Sequence, residues 1–479
     1  MILREFARSY WAHNFSKCIT LSAACGCDSI TPLPLGNPLA LAVSSPTRTH
    51  SSPAMPRLLL LLGMSALGTL YSLTRVFGLM ATANWSPRGI RRVRQSLYLR
   101  VHGWVMMIFV GCFSPFAFWC IFERMAFLRQ NRILLMIGFN RYVLLLVCAF
   151  MTLWIHCSKQ AEIIGCLNRL LKCRRQLRKL MHTRELKDSM DCLATRGHLL
   201  EVVLLLSSYM LALAQPIQIL KDDPEVRRNF MYACCLVFII VCQVILQLSL
   251  GMYTLALLFL GHLVRHSNLL LARILADAEH IFESSQRTRI RLNRQELYKG
   301  QQKWLALELW RLLHMHQQLL KLHRKIGSLC AVQAVCFLGY VPLECMIHLF
   351  FTYFMKYSKF ILRKYGRSFS LNYFAVAFLL GLFTNLLLVI LPTYYSERRF
   401  NRTREILKGG GLAFPSRITV KQLRHTMHYY GLYLKNVDHI FAVSACGLFK
   451  LNNALLFCIV GAILEYLMIL IQFDKVLNQ

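Results

Sequence analysis

Near the end of the chain an acid stands where acids are costly. The run CGLFKLNNALLFCIVGAILEYLMILIQFDK (Cys446–Lys475) contains Glu465 and, farther on, the pair Gln472-Phe473. It otherwise has the length and apolar character of a membrane helix, which needs about 20 such residues. Glu465, Met468, Ile469 and Gln472 are spaced i, i+3, i+4 and i+7, so they share one helix face. A carboxylate at that depth faces a protein partner or a water-filled path. Two readings therefore stand: an acid in a conducting path, or an acid paired with a buried cation or amide on a neighbouring helix. A second polar pair, Glu344 and His348, lies four residues apart in another apolar run, on one helix face. A metal site there would need ligands the sequence does not place, and a buried hydrogen-bonded pair in a pocket is the better reading.

No other residue set suggests catalysis. Gly409-Gly410-Gly411 lacks the Lys-Ser/Thr that follows a phosphate-binding loop, and it reads as a linker. His314, His316 and His323 sit on an amphipathic stretch, where solvated or packing roles outweigh metal binding. The 18 cysteines are scattered, mostly within apolar runs, without zinc-site spacing. They read as small apolar fillers. The expectation is a protein that is not an enzyme and has no cofactor.

The elements that must position these groups follow from composition. Of 479 residues, 56% are hydrophobic and 16% charged, against roughly a quarter charged in soluble domains. This balance marks a multi-pass, all-α membrane protein embedded in a lipid bilayer. Seven spans are expected near residues 98–122, 133–155, 199–219, 230–262, 326–354, 371–396 and 445–473. Pro216, Pro342 and Pro392 would kink three of them. Residues 1–56, rich in Ser, Pro and Thr, read as a disordered tail; Met55 opens a plausible alternative start. Residues 57–97 read as an interfacial or re-entrant apolar segment followed by a basic stretch. Residues 98–396 hold spans one to six, 397–444 a basic loop and helix, and 445–479 span seven with a short tail.

The formal net charge of +34 is unevenly placed. Lys and Arg number ten at 156–198, twelve at 263–325 and nine at 397–444; the alternate loops carry three, three and five. Positive residues accumulate on the cytoplasmic side, so the N-terminus is expected in the cytoplasm and the C-terminus outside. No zinc-finger, RNA-binding or basic-zipper pattern accompanies the charge, which argues against a nucleic-acid partner. Helical apolar spacing continues through Leu269–Phe282 and Leu305–His323. Spans four and five should therefore extend into the cytosol as helices whose apolar faces pack on each other or on neighbouring subunits.

These features resemble the insect gustatory receptors. Their C-terminal signature is Thr-Tyr, five apolar residues and Gln-Phe, with Gly-Leu-Phe upstream. Tyr466, Leu467–Ile471, Gln472 and Phe473 match it, as do Gly447-Leu448-Phe449; Glu465 departs from it, standing where the family has Thr. YSLTRVFGLM (Tyr71–Met80) and LPTYYSERRFNRTREIL (Leu391–Leu407) are also similar, so the resemblance covers about residues 65–479.

The resemblance implies a subunit of a tetrameric, ligand-gated, non-selective cation channel in the plasma membrane of gustatory neurons, homomeric or assembled with other gustatory subunits. An odorant-receptor-like subunit and a metabotropic seven-helix receptor are the alternatives. It further implies that span seven lines the pore. Around a fourfold axis Glu465, Met468, Ile469, Gln472 and Phe473 would form pore and gate rings, with acids favouring cations and apolar groups gating by dewetting. The small-molecule tastant, of bitter or aversive type, would enter a pocket in the outer halves of spans two to six. Its candidate contacts are Tyr209, Gln215, Tyr232, Tyr340, Glu344, His348, Asn372 and Tyr373.

Overall fold

The computed structural model describes residues 54–83, 93–124, 132–182, 187–222, 226, 228–287, 292–357, 373–411, 421–437, 444–446 and 448–477. Among them the chain is helical apart from two hairpins of two-residue strands and short turns. The helices are α1 Ala54–Val76, α2 Leu97–Arg124, α3 Arg132–Ser158, α4 Gln160–His182, α5 Lys187–Asp222, α6 Phe230–Arg287, α7 Leu292–Tyr357, α8 Tyr373–Gly411, α9 Lys421–Val437 and α10 Asn453–Leu477. Seven of them, α2, α3, α5, α6, α7, α8 and α10, contain stretches long and apolar enough to cross a membrane. The seven-span expectation holds.

Two helices run far beyond a bilayer's thickness. α6 has 58 residues and α7 has 66, about 87 and 99 Å of helix at 1.5 Å per residue. The expected continuations are therefore unbroken helix. Leu305, Leu309 and Leu312 are buried within the chain. The opposite side of α7 leaves Trp304, Leu307 and Trp310 exposed, beside exposed Tyr429 and Leu432 of α9. The leucine stripe thus belongs to the subunit's own core. Pro115, Pro216, Pro342 and Pro392 all lie inside helices.

The core is built from α5, α6, α7 and α8, with α2 and α3 packed on α6 and α1 packed on α5. α5 and α8 approach to backbone contact: a Cβ on Gly381 would lie 2.5 Å from the Ala212 nitrogen. Small residues permit such approaches between membrane helices. Gly409–Gly411 form the end of α8 rather than a separate linker. α1 is a single 23-residue helix. The turn after it is held by His156, whose Nδ1 donates to the Leu79 carbonyl (3.1 Å) while its Nε2 accepts from Ser249 Oγ (2.8 Å).

The extensions have their own locks. Asn268 of α6 donates to the Arg399 carbonyl (2.8 Å) and accepts from Thr403 Oγ1 (2.6 Å), tying α6 to α8. His316 is fully buried among the rings of Phe400, Tyr430 and Tyr433, at centroid distances of 5.4, 6.2 and 6.1 Å. It packs α7 against α8 and α9, while His323 bonds Ser396 at 3.1 Å. Both take the packing role. His314 instead pairs with Gln318 on the surface at 2.9 Å. Lys325 bridges to Glu162 on α4; the hydrogen bond and charge of its ammonium hold that carboxyl below the ordinary range.

The last helix starts later than its apolar run suggests. Ser444–Ala445 pairs antiparallel with Phe449–Lys450, through a turn in which Cys446 has φ 53°. Asn452 then caps α10, its Oδ1 accepting the Leu455 N–H at 3.1 Å. The capped helix begins at Asn453, so Phe449 and Lys450 belong to a hairpin strand that precedes it.

Candidate functional site

Three places bring sequence-marked residues together. The first lies in the half of the bundle where α3 and α8 begin. Arg141 of α3 grips Glu344 of α7 with two parallel hydrogen bonds: Nε to Oε2 at 2.7 Å, and Nη2 to Oε1. His348, one turn on, donates from Nε2 to Oε1 at 3.1 Å. Its ring rests 4.4 Å from that of Phe378 on α8. Glu344 is fully buried, and Arg141 also stacks over Tyr142 at 5.4 Å. Tyr340, one turn before Glu344, is buried beside them. The expected Glu344–His348 pair exists, and its charge partner is Arg141. Arg141 is an isolated polar residue in span two whose partner lies 203 positions away.

The second place is deeper. Tyr209 of α5 donates to the Gln247 carbonyl of α6 at 2.7 Å. Its hydroxyl occupies the space that a side chain at position 251 would need, since a Cβ on Gly251 would fall 1.9 Å from it. Gly251→Ala is thus expected to expel the Tyr209 hydroxyl and break its hydrogen bond, with a loss of about 1–3 kcal/mol typical of overpacking. Tyr209→Phe removes the clashing atom and should restore much of the yield of folded Gly251→Ala protein, measured by fluorescence-detected size-exclusion chromatography. Equal yields of Gly251→Ala with Tyr or Phe at 209 would refute the packing argument.

The remaining pocket candidates are dispersed. Gln215 and Tyr232 are buried, whereas Tyr373 stands exposed at the first turn of α8. Asn372 lies outside the described residues.

The third place is α10. Leu451 just before the helix, with Leu455 and Ile459 on it, turns inward, and α10 packs on α7 and α8. Beyond Ile459 one face of the helix is exposed, with Glu465, Met468, Ile469, Gln472 and Phe473 on it, while Ile463 still packs against the core. The i, i+3, i+4, i+7 face is thus one surface, and the single subunit leaves it uncovered.

A family model described as 7tm Chemosensory receptor matches residues 67–477. A Drosophila melanogaster protein named "Putative gustatory receptor 77a" is 87% identical over 448 residues, 94% of this chain and all of that one. The chain belongs to the insect gustatory receptor family. Solved structures agree on the fold of this receptor. The insect olfactory receptor OR5 from Machilis hrabei superposes with a TM-score of 0.54 at 12% identity, covering 86% of this chain and 98% of that chain. Its complex with eugenol gives 0.52 at 11% identity, covering 87% and 99%. The receptor is therefore a multi-pass chemosensory protein, and its family is one of receptors rather than enzymes.

Two features of the receptor's sites escape sequence reading. The Arg141–Glu344 pair joins distant segments with no local signal. Gly251 and Tyr209 are ordinary residues until the crossing of α5 and α6 places them against each other.

Proposed function

We propose that this receptor is a subunit of a ligand-gated, non-selective cation channel, gated by a small-molecule tastant of bitter or aversive type. It assembles as a homo- or heterotetramer with other gustatory subunits in the plasma membrane of gustatory neurons. The N-terminus is cytoplasmic, and the basic extensions of α6 and α7 lie in the cytosol. α10 lines the central pore, with Glu465, Met468, Ile469, Gln472 and Phe473 facing permeating cations or forming the gate.

The observation that carries this reading is the uncovered face of α10. A carboxylate and a carboxamide on a membrane helix are expensive against lipid. Four such faces around an axis place both groups on water, and the acid ring draws cations while Met468 and Ile469 form an apolar constriction. The exposed aromatics of α7 and α9 offer surface for contacts between subunits. The Arg141–Glu344–His348 cluster, with Tyr340, supplies the few convergent polar groups expected of a ligand pocket that is otherwise apolar. The eugenol complex of the olfactory receptor OR5 supports a small organic ligand.

The test is native mass spectrometry of protein extracted in mild detergent, combined with recording of tastant-evoked current from cells expressing the chain. A fourfold particle, alone or with a co-expressed gustatory subunit, and a current independent of G-protein signalling are expected. A particle that remains monomeric in every combination would contradict the reading.

A further inference from the structure

Beneath the charged cluster, where α5, α6, α7 and α8 cross, lies a cavity of about 10 Å³. Its lining includes Tyr209, Gln247, Gly251, Thr254, Phe337 and Asn385. Three polar atoms in this lining are buried without a hydrogen-bond partner among the described residues: Gln247 Nε2, Thr254 Oγ1 and Asn385 Nδ2. They come from two helices. Gln247, Gly251 and Thr254 follow one face of α6 at i, i+4 and i+7, and Asn385 projects from α8.

The polar groups around them are already engaged. The backbone carbonyl of Gln247 is taken by the Tyr209 hydroxyl, which leaves the Gln247 side-chain amide facing the cavity. Asn385 Oδ1 is taken by Ser208 Oγ of α5 at 2.6 Å. What remains is two amide donors and one hydroxyl around a common space. Buried polar groups are nearly always satisfied, and an internal water typically makes two to four hydrogen bonds in about 10–15 Å³. The cavity meets both conditions. It is far below the several hundred Å³ that an organic ligand occupies, so it is distinct from a tastant pocket. Asn385 lies seven residues beyond Phe378 on α8, about 10 Å deeper than the charged cluster.

We propose that this cavity is a water site in the membrane-buried core. The water oxygen accepts from Gln247 Nε2 and Asn385 Nδ2, and one of its hydrogens goes to Thr254 Oγ1. The water joins α6 to α8, and through Ser208 and Tyr209 the same joint reaches α5. Any motion of α8 past α6 has to break or remake it.

A single-particle map of the wild-type receptor that resolves internal waters is the direct test. Density within hydrogen-bonding distance of all three atoms is expected; a site without density, in a map showing waters elsewhere in the core, overturns the proposal. A double-mutant cycle tests the joint. Thr254→Val and Asn385→Leu are each expected to lower the melting temperature of the purified receptor. The double variant should fall by clearly less than the sum, because either substitution already strips the shared water of a partner. Strictly additive losses would mean that no water links the two helices, whatever the density. If Asn385→Leu does not fold, Asn385→Ala replaces it in the cycle, with the same two outcomes.

Discussion

Arg141→Met is expected to remove most of the receptor from the cell surface. The substitution leaves Glu344 fully buried with His348 as its remaining partner. Breaking a buried ion pair by deleting one member costs about 3–5 kcal/mol. A domain's whole stability is about 5–15 kcal/mol, so the folded fraction should collapse. Glu344→Met should do the same by stranding the guanidinium. The double variant Arg141→Met/Glu344→Met removes both charges and keeps apolar volume, an exchange that is often neutral or better for stability. Surface biotinylation should therefore show two poor single variants and a double variant that recovers. The recovered double variant should still respond poorly to ligand if the cluster supplies the pocket's polar groups. A wild-type surface level for Arg141→Met, or a double variant no better than either single, would show that the pair does not hold α3 to α7.

How far the sequence reaches can be judged from these residues. The seven spans are readable because burial in lipid demands long apolar runs, and the extensions are readable because leucines at 305, 309 and 312 keep helical period where the chain leaves the membrane. Glu344 and His348 can be paired from spacing alone, since four residues is one helical turn. Arg141 cannot be assigned to them, because nothing local fixes which helices are neighbours. The start of α10 is misread for a related reason. Apolar composition continues through Leu448 and Phe449, while the boundary is set by a hairpin and by the Asn452 cap. The exposed side of α7 shows the limit of periodicity: it marks a stripe facing inward without revealing that Trp304 and Trp310 on the far side are half-exposed. The joint between α6 and α8 depends on single atoms left over after other bonds are made, which no sequence pattern encodes.

Glu465→Gln is expected to lower the preference for cations over anions. In the proposed tetramer, four carboxylates around a narrow passage would act directly on a permeating ion. One unit charge at ~4 Å interacts with it by about 4 kcal/mol in an effective dielectric near 20. About a third of that, about 1.4 kcal/mol, is a tenfold change in a permeability ratio if it appears fully at the barrier. Gln472→Ala should behave differently. It removes an exposed amide two turns farther along the same face without altering charge, so basal opening or ligand sensitivity should shift while selectivity stays near wild type. The two variants therefore separate the charge of the pore from the polarity of its gate.

The claim that α10 lines a cation pore is tested most directly by the reversal potential under biionic conditions, compared between wild type and Glu465→Gln expressed to equal surface levels. The account predicts that the reversal potential moves toward the anion equilibrium potential when the acid is neutralised. An unchanged reversal potential in a well-expressed Glu465→Gln channel would place Glu465 behind the pore wall as a structural acid and contradict it.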